Sequence, residues 1–402
     1  MTDLVRIGYG KSPDTALAVR QAVAALGDCT PTLLLVFAGG KLDPAAALAA
    51  LGGAFAGVPV VGGSAAGAIA RGGLGYSGFE IGILAFCDPA TTPELVVGHG
   101  LDAGERAAGA AIGARVRALA QGPAAVLLLF DSVASAQPLR LHHASSIVAG
   151  FNDAAGDAPL TVIGGGLLTD MNMSGAWVFD GAAVRKHAVI ALVFPPSVVA
   201  ETVILHGCRP VSAFMEITRI DGATIFELDG QPALRIIERM LGLPIGGTPG
   251  HGLTLIATLG QKQGDIYAPY DENAYVNRLI LGADPATNAI TLFEPDFERG
   301  TQVQIMSRDN GLMLDSVQRG VAAMNARMAG QDALLALYID CAGRASARSG
   351  CMQEEAALVA EGLDPAIPLL GFYSGVEIAP FADGTSRSLD WTGVLTALRP
   401  RR

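Results

Sequence analysis

The sequence contains few charged and few aromatic residues. Asp, Glu, Lys and Arg make up 16% of its 402 residues and aromatic residues 6%, whereas charged residues form about a quarter of an ordinary soluble chain. Lys and Arg total 27 against 38 Asp and Glu, a net charge of -11. Phosphate backbones and anionic membrane surfaces attract basic proteins. We therefore expect neither nucleic acid nor a membrane as a partner.

The sequence also lacks an uncharged run with the composition of a membrane-spanning helix. The run at 44–70 exceeds the roughly 20 residues that cross a bilayer, but glycines and Pro59 interrupt it throughout. Such residues penalise a helix, so we interpret the run as a helix, a buried strand and a glycine loop. The first residues have no apolar core of signal-peptide length. These features predict a cytoplasmic protein.

Cysteine is scarce, and no CxxC pair is present. The five cysteines are odd in number and scattered along the chain, at Cys29, Cys87, Cys208, Cys341 and Cys351. With no export signal, this pattern predicts reduced thiols rather than a disulfide framework. It also gives little support to a structural zinc site.

Short apolar runs alternate with helical segments along the chain. This alternation predicts an α/β protein with βαβ units and a largely parallel sheet. We expect two mixed, mostly parallel-sheet halves at 1–200 and 201–402, with an antiparallel hairpin region inserted in the second half. The hairpin is predicted because Asp221-Gly222 separates two β-rich runs, 215–220 and 223–228.

A weak internal repeat occurs three times. In each copy, an apolar strand leads through a loop and helix to a second strand that ends in glycine. The first strands are 33–37, 126–130 and 334–341, and the second strands begin the segments 58–69, 159–170 and 367–378. Each copy has the length of one βαβ unit.

Ligands of open α/β sheets bind beyond the carboxyl ends of the strands. The repeat places glycine-rich and polar residues there, and we take them as candidate ligand-binding residues: Gly62, Gly63, Ser64, Asp131, Gly164, Gly165, Asp340, Cys341 and Tyr373. Glycine permits close approach of a ligand or of another backbone. The alternative is that these glycines only end strands and let neighbouring elements pack.

Charged residues near the third copy form a further candidate set. Arg344 could hold a carboxylate in bidentate fashion, while Asp340 or Glu377 could hold an amine. The alternative is an Arg–Glu pair that ties two loops together. Arg344 could also lower the pKa of the Cys341 thiol and make it a nucleophile.

Known catalytic and nucleotide-binding motifs are absent from the sequence. It contains no GxxxxGK[ST] loop, no GxSxG elbow and no HExxH pair. The glycine run at 62–67 lacks both the spacing and the acidic residue of a dinucleotide fingerprint. None of these motifs therefore predicts a catalytic residue in this sequence.

Several segments, in order, resemble the FIST family of sensory proteins. The resembling segments are GVPVVGGSAAG (57–67), GGG (164–166) with WVFDG (177–181), GCRP (207–210), ITR (217–219), ELDGQPA (227–233), DCAGR (340–344) and GFYSGVEI (371–378). Ala68 stands where the family usually has Glu. The resemblance covers nearly the whole chain. The chain resembles an N-terminal FIST half followed by a C-terminal FIST half.

The resemblance implies a small-ligand sensor that acts with signalling partners such as histidine kinases. Its ligand would be a small molecule such as an amino acid, and no cofactor would be required. One branch of the family binds heme and senses nitric oxide through a histidine just before the proline at the domain boundary. His206 lies one residue early for that role, so heme is an alternative.

Three hypotheses follow from the sequence. The first is a non-catalytic sensor whose ligand lies among the glycine loops, with Arg344 and Glu377. The second is a heme-binding nitric oxide sensor that uses His206 and regulates a histidine kinase. The third is a thiol-dependent enzyme that uses Cys341.

Overall fold

Three consecutive stretches of the chain repeat one arrangement of strands and helices. The computed structural model describes residues 4–242 and 257–401. In each unit a strand and a helix precede two parallel strands, which are followed by a short hairpin and a last strand. The parallel pairs coincide with the strand pairs of the sequence repeat.

Helices and strands make up the first two units in chain order. Unit one comprises β1 (Val5–Lys11), α1 (Thr15–Leu26), β2 (Leu33–Gly39), α2 (Pro44–Ala54), β3 (Val60–Ala65), β4 (Ala68–Ala70), β5 (Gly73–Gly75) and β6 (Glu80–Phe86). Unit two comprises β7 (Glu94–His99), α3 (Glu105–Leu119), β8 (Ala124–Asp131), β9 (Val133–Ala136), β10 (Leu139–Leu141), α4 (Ala144–Ala155), β11 (Leu160–Leu167), β12 (Val178–Gly181), β13 (Val184–Arg185) and β14 (Ala188–Val193).

Unit three begins with β15 (Val198–Leu205) and is interrupted by an inserted sheet. The inserted sheet comprises β16 (Arg209–Pro210), β17 (Met215–Asp221), β18 (Thr224–Leu228), β19 (Gln231–Pro232), α5 (Ala233–Leu241), β20 (Ala257–Lys262), β21 (Tyr275–Asp284), β22 (Ala289–Leu292) and β23 (Gln302–Ser307). Unit three then continues with α6 (Asn310–Met328), β24 (Leu335–Cys341), α7 (Ser346–Ser349), α8 (Glu355–Gly362), β25 (Leu369–Ser374), β26 (Glu377–Pro380), β27 (Ser386–Leu389) and β28 (Gly393–Pro400).

Each unit completes its sheet with the hairpin of another unit. The sheet of unit one runs β1-β6-β2-β3 and ends in β12-β13 of unit two. The sheet of unit two runs β7-β14-β8-β11 and ends in β26-β27 of unit three, while that of unit three runs β15-β28-β24-β25 and ends in β4-β5 of unit one. Each of the three units therefore gives its hairpin to one unit and receives a hairpin from the other.

The prediction of mostly parallel sheets is wrong. In the described part of the chain, β2–β3, β8–β11 and β24–β25 pair in parallel, and the other pairings are antiparallel. Strands such as β6 and β14 are buried along their whole length. A strand covered on both faces is continuously apolar whatever its direction, so its sequence resembled that of a parallel strand.

The helix α2 shows how local sequence produces the predicted elements. The Asp43 side chain accepts a hydrogen bond from the backbone N–H of Ala46 at 2.9 Å, and Pro44 occupies the first turn. An acidic N-cap followed by proline is a strong helix start. The helix therefore begins where the sequence predicted.

One hydrophobic core joins the three sheets. It includes Leu35 and Phe37 of unit one, Leu127 of unit two and Leu337 and Phe372 of unit three. The rings of Phe37 and Phe372 stack with their centroids 4.2 Å apart. The small, apolar composition of the chain is thus explained by burial between sheets rather than by lipid contact.

The inserted sheet is antiparallel, as the hairpin signal predicted, and it closes on itself. Its strands follow the order β23-β17-β18-β22-β21-β20, and β20 pairs again with β23. Arg278 attaches it to unit three by donating to the Ser388 carbonyl at 3.0 Å. Glu294 attaches it to unit two by accepting hydrogen bonds from the backbone of Ala144 and Ser145.

The prediction that the cysteines stay reduced is wrong for one pair. Cys29 and Cys87 form a disulfide between positions 58 residues apart. Cys29 precedes β2 and Cys87 follows β6, and these strands pair with Leu33 opposite Phe86. The pairing brings both cysteines to the same edge of the sheet. Cys208, Cys341 and Cys351 are free.

The domain boundary at 200/201 stays a prediction. Strands from either side of it share sheets, because β4 pairs with β25 and β26 pairs with β11. Among the residues described, no helix is both long and apolar enough to cross a membrane.

Candidate functional site

A cavity of about 540 Å³ lies beyond the carboxyl ends of β24 and β25, where the sequence predicts a site. Its floor includes Cys341 and Ser374. Its apolar lining comes from four places: Leu168, Met171 and Met173 after β11, Leu279 and Leu281 of β21, Phe293 after β22, and Trp391 before β28. Arg348 of α7 also lines it and is exposed. Units two and three and the inserted sheet thus enclose it together.

Cys341 is the predicted site residue that lines this cavity directly. It ends β24, and its register partner on β25 is Ser374. The Cys341 side chain is buried, and burial together with the neighbouring Glu377 raises the pKa of its thiol well above the ordinary value. At neutral pH the residue therefore presents a thiol to the cavity rather than a thiolate.

Glu377 lies one layer beneath the cavity floor. Its Oε1 atom is 2.5 Å from the Ser374 hydroxyl, and its Oε2 atom accepts from the Thr392 backbone at 3.2 Å. Burial raises the pKa of Glu377 well above its ordinary value. The carboxyl group of Glu377, which holds its proton more tightly than usual, supports the serine that lines the cavity.

Arg344 is held inside a buried network rather than in the cavity lining. Its Nη2 atom lies 2.8 Å from Glu355 Oε2, and its Nη1 atom donates to the carbonyls of His206 and Trp391. Asp340 Oδ1 lies 3.4 Å from its Nε atom. Burial opposes the charge of Arg344, but Glu355 and Asp340 outweigh burial and hold its pKa above the ordinary value.

This network also accounts for Asp340 and Tyr373. Burial, reinforced by the charge of Glu355, raises the pKa of Asp340 well above its ordinary value. The Tyr373 hydroxyl donates to Glu354 at 2.7 Å, and the ring packs edge-on against Tyr76. The glutamate paired with Arg344 is Glu355 of α8, and not Glu377, which the sequence analysis grouped with Arg344.

The predicted glycines are explained by close approach of neighbouring strands. Gly62, Gly164 and Gly371 occupy equivalent positions, each opposite its register partner on the preceding parallel strand. A Cβ atom on them would lie 2.2, 1.9 and 2.2 Å from the carbonyl oxygens of Val36, Leu128 and Tyr338, respectively. No side chain fits there, so glycine is required by packing.

The neighbouring predicted residues also contact protein groups. A Cβ atom on Gly63 would meet the Trp177 carbonyl at 2.3 Å, and one on Gly165 would meet Ile339 at 2.9 Å. The Ser64 hydroxyl accepts a hydrogen bond from the Trp177 backbone at 3.1 Å. These residues lie outside the lining of the cavity.

The carboxyl end of unit one is covered by the segment after β11. The backbone N–H of Gly40 donates to the Thr169 carbonyl at 3.1 Å, and a Cβ atom on Gly40 would lie 2.3 Å from that oxygen. The loops of units two and three therefore meet in the cavity, and those of unit one do not.

Asp131 belongs to a separate polar cluster at the carboxyl end of unit two. It accepts hydrogen bonds from the backbone of Val133 and His187, and burial raises its pKa. The ring of His142 lies between Glu105 and His187. Its Nδ1 atom is 3.2 Å from Glu105 Oε1, and its Nε2 atom is 3.0 Å from His187 Nδ1. His142 and Glu105 line a second cavity, of about 510 Å³, which shares Leu281 and Phe293 with the first.

The surroundings of His206 do not fit an iron ligand. Its Nδ1 atom accepts from the Cys208 backbone at 2.9 Å, and its Nε2 atom lies 3.0 Å from the Glu272 carbonyl, to which it donates. The side chain is buried, and burial lowers its pKa. Because both ring nitrogens are engaged, neither is available to a heme in this arrangement.

Sequence reasoning missed most of the cavity lining. Trp391, Phe293 and Leu279 belong to no motif, and their contributions depend on how the inserted sheet packs on unit three. Trp391 is one of two tryptophans in a chain poor in aromatic residues, which was a usable signal. Arg348 follows Arg344 by four residues in the sequence and could have been included with it.

The fold and its cavity define an α/β protein of three exchanged units, with a pocket beneath an inserted antiparallel sheet. The FIST N domain matches residues 32–231, and the FIST C domain matches residues 233–380. The chain belongs to the FIST family, whose domains are associated with sensing in signal transduction. The resemblance found in the motifs is thereby confirmed.

Mycobacterial proteins are similar to part of the chain. Uncharacterized protein Mb0898c of Mycobacterium bovis is 31% identical over 241 residues, which cover 56% of this chain and 58% of that protein. Uncharacterized protein Rv0628c of Mycobacterium tuberculosis is 29% identical over 230 residues, with the same coverage of 56% and 58%. The chain thus spans less than two thirds of the curated relatives it matches.

Proposed function

We propose that the protein is a non-catalytic sensor that binds a small molecule in the 540 Å³ cavity. The observation that carries the proposal is the position of this cavity at the carboxyl ends of β24 and β25. Its volume lies within the roughly 300–1,000 Å³ typical of ligand pockets. A few polar groups among apolar walls are also typical of such pockets.

The lining favours a small and largely apolar ligand with one polar end. Leu279, Phe293 and Trp391 supply apolar surface, and Ser374 and Arg348 supply hydrogen bonds and charge. An amino acid with an apolar side chain has these properties and remains our leading candidate. The raised pKa of Cys341 supports a binding role rather than thiol catalysis.

Output from the sensor would pass to a separate signalling protein such as a histidine kinase. Loops of units two and three and strands of the inserted sheet meet at the cavity, so a ligand there contacts three parts of the molecule at once. A cytoplasmic location also belongs to this proposal, and the Cys29–Cys87 disulfide is the observation that bears against it.

The proposal is tested by screening amino acids and related metabolites for an increase in the unfolding temperature, followed by calorimetry. Ala347→Trp places a large side chain at an exposed position that lines the cavity. Ala322→Trp is the control, since Ala322 is exposed and belongs to α6. Binding that is lost in the first variant and kept in the second supports the proposal, and binding unchanged in both contradicts it.

A further inference from the structure

The two large cavities of the protein adjoin each other beside the inserted sheet. The first cavity, of about 540 Å³, and the second, of about 510 Å³, share Leu281 of β21 and Phe293 as lining residues. Leu281 is exposed and Phe293 is half-buried. A ligand that lies over these two side chains therefore reaches both cavities.

A small recess also lies between the two cavities. Its volume is about 10 Å³, close to the space that one water molecule needs. The recess shares Met173 and Gly375 with the first cavity and Leu141 and His142 with the second. Phe293 borders all three spaces, so they form one continuous site, which we call the joint groove.

The recess contains a buried hydrogen-bonding group without a protein partner. Ser132 follows β8, lines the recess and is 3% exposed. Its Oγ atom has no hydrogen-bond partner in the described part of the chain. Leaving a buried hydroxyl unpaired costs free energy. One water molecule in the recess would pair with Ser132 and offer its other hydrogen bonds to a ligand in the joint groove.

Positive charge marks the first cavity. Arg348 is the one charged side chain among the described residues that line it, and it is exposed. The Nη2 atom of Arg348 donates to neutral groups, the Met171 carbonyl and the Asn172 side chain. Guanidinium groups bind carboxylates in bidentate fashion. The remaining donors of Arg348 therefore suit a ligand carboxylate.

Negative charge predominates at the second cavity. Asp102 and Glu105 line it, against one basic residue, Arg140. The Oε1 atom of Glu105 lies 3.2 Å from Nδ1 of His142, and this contact fixes the carboxylate at the cavity wall. The two ends of the joint groove thus suit ligand groups of opposite charge.

We propose that the joint groove binds a short peptide, with its terminal carboxylate at Arg348 and its ammonium group at Asp102 and Glu105. The proposal rests on the proposed function, because it uses the same first cavity, and it extends the ligand from one amino acid to a chain. A free amino acid carries both charges on one carbon atom and cannot place them in two cavities. The water bound to Ser132 would meet a peptide group between the two ends.

Apolar walls accept the side chains of such a peptide. Leu279 and Trp391 line the first cavity, and Leu139 and Leu292 line the second. Leu139 is 46% exposed although it is a large apolar residue. A ligand side chain that covers it removes apolar surface from water, and the gain grows with each residue added. Affinity should therefore rise with peptide length until the joint groove is filled.

The test measures affinity against ligand length and end charge by calorimetry at about pH 7.5. The probes are leucine, dileucine, trileucine, N-acetyltrileucine, which lacks the ammonium group, and trileucine amide, which lacks the carboxylate. We expect trileucine to bind about tenfold or more tightly than leucine, and each blocked probe to lose about threefold or more. Affinity that does not rise with length, or that survives the blocking of either end, overturns the proposal.

A variant of the second cavity tests whether the peptide spans both. Thr291→Trp places a large side chain at an exposed position that lines the second cavity. It should lower the affinity for trileucine to that for leucine and leave leucine binding unchanged. The control is Ala286→Trp, at an exposed position in the turn between β21 and β22. Unchanged trileucine binding in Thr291→Trp overturns the proposal.

Variants of the charged residues test the orientation of the peptide. Arg348→Gln should make trileucine and trileucine amide bind equally. The double variant Asp102→Asn with Glu105→Gln should instead make trileucine and N-acetyltrileucine bind equally. Arg299→Gln, at an exposed position, should leave both differences intact. If either set leaves its expected difference unchanged, the proposed placement of the peptide ends is overturned.

Further outcomes separate this proposal from the proposed function. If leucine binds in a manner blocked by Ala347→Trp but trileucine binds no more tightly, the peptide is overturned and the sensor proposal stands. If trileucine binds equally well to Ala347→Trp and Thr291→Trp as to the wild type, it binds elsewhere and the peptide proposal is overturned. Absence of binding by every probe and every screened metabolite contradicts both.

Discussion

The hydroxyl of Ser374 lies 2.5 Å from Oε1 of Glu377, and both side chains are completely buried. The same hydroxyl lies 3.0 Å from the Asp340 carbonyl oxygen. One hydroxyl hydrogen cannot serve two acceptors. The geometry is satisfied when a protonated Glu377 donates to Ser374, which in turn donates to Asp340. The floor of the cavity is therefore organised by a neutral carboxyl group.

A neutral Glu377 predicts a specific pH dependence of stability. Its pKa is raised in the folded protein above the ordinary value of 4.5, so the folded state holds the proton more tightly than the unfolded state. The stabilising contribution of Glu377 is complete below pH 4.5 and is lost as pH rises toward the pKa of the folded state. The loss is about 1.4 kcal/mol for each pH unit by which the folded-state pKa exceeds the unfolded-state pKa.

Glu377→Gln should remove this loss. The free energy of unfolding, measured by urea denaturation, should therefore favour the variant over the wild type more at pH 8 than at pH 5. Glu361→Gln, at an exposed position, should show no such change. A pH-independent difference between Glu377→Gln and the wild type would contradict the protonated state.

Arg344 and Arg348 are predicted to contribute differently to the stability of the protein. Arg344→Ala leaves Glu355 buried without its partner and should cost about 3–5 kcal/mol of unfolding free energy. Arg348 is exposed and donates to Met171 and Asn172, so Arg348→Ala should cost less than about 1 kcal/mol. Urea denaturation of both variants measures this. Equal effects would contradict the assignment of Arg344 to the buried network.

Glycines at equivalent strand positions should be intolerant of a methyl group. At Gly62, with φ +110°, a Cβ atom would lie 2.2 Å from the Val36 carbonyl. Gly62→Ala should therefore destabilise the protein by about 3 kcal/mol or more. Gly52 in α2 has free space around its Cβ position, and Gly52→Ala should stabilise by about 0.5–1 kcal/mol. Thermal unfolding of the two variants in opposite directions confirms the expectation.

Local features of the fold could be predicted from the sequence. The strands around 33–37 and 126–130 were found because each is a continuous apolar run, and α2 because Asp43 and Pro44 mark its start. Strand direction could not be predicted, since β14 is apolar throughout although it pairs antiparallel. Exchange of hairpins between units is a non-local property that leaves no pattern in a short window.

The sequence predicted where the candidate site lies better than it predicted which residues line it. The rule that ligands bind at carboxyl ends of strands led to Cys341, which lines the cavity. The same rule selected Gly62 and Gly164, where the reason for glycine is the neighbouring backbone. Phe293 could not be found, because it reaches the cavity through the docking of the inserted sheet. For Trp391 the rarity of tryptophan was a signal, but its place at the cavity depends on the path of the loop before β28.

The purified protein is predicted to carry no heme through His206. Both ring nitrogens are engaged by backbone groups of Cys208 and Glu272, and releasing them would cost those hydrogen bonds. After expression with added heme precursor, the absorption spectrum should show no Soret band. A Soret band that disappears in His206→Ala would contradict this and would restore the heme alternative.

The Cys29–Cys87 disulfide should be detectable in the protein. Digestion without reductant should release a cross-linked pair of peptides containing these cysteines. Reductant, or Cys29→Ser, should lower the free energy of unfolding by about 2–4 kcal/mol. Cys351→Ser, which removes a free and half-buried thiol, should leave the reductant effect intact. Full labelling of all cysteines in the non-reduced, unfolded chain would contradict the disulfide.

The exchanged hairpins make the N-terminal and C-terminal parts of the chain mutually dependent. A polypeptide ending near residue 200 would lack β26 and β27, so β11 would become an open sheet edge. A polypeptide starting there would lack β4 and β5, and β25 would be open in turn. Unpaired edges of this kind invite association with another chain. The halves should therefore be poor independent proteins but good complementary fragments, each supplying the strand that the other is missing.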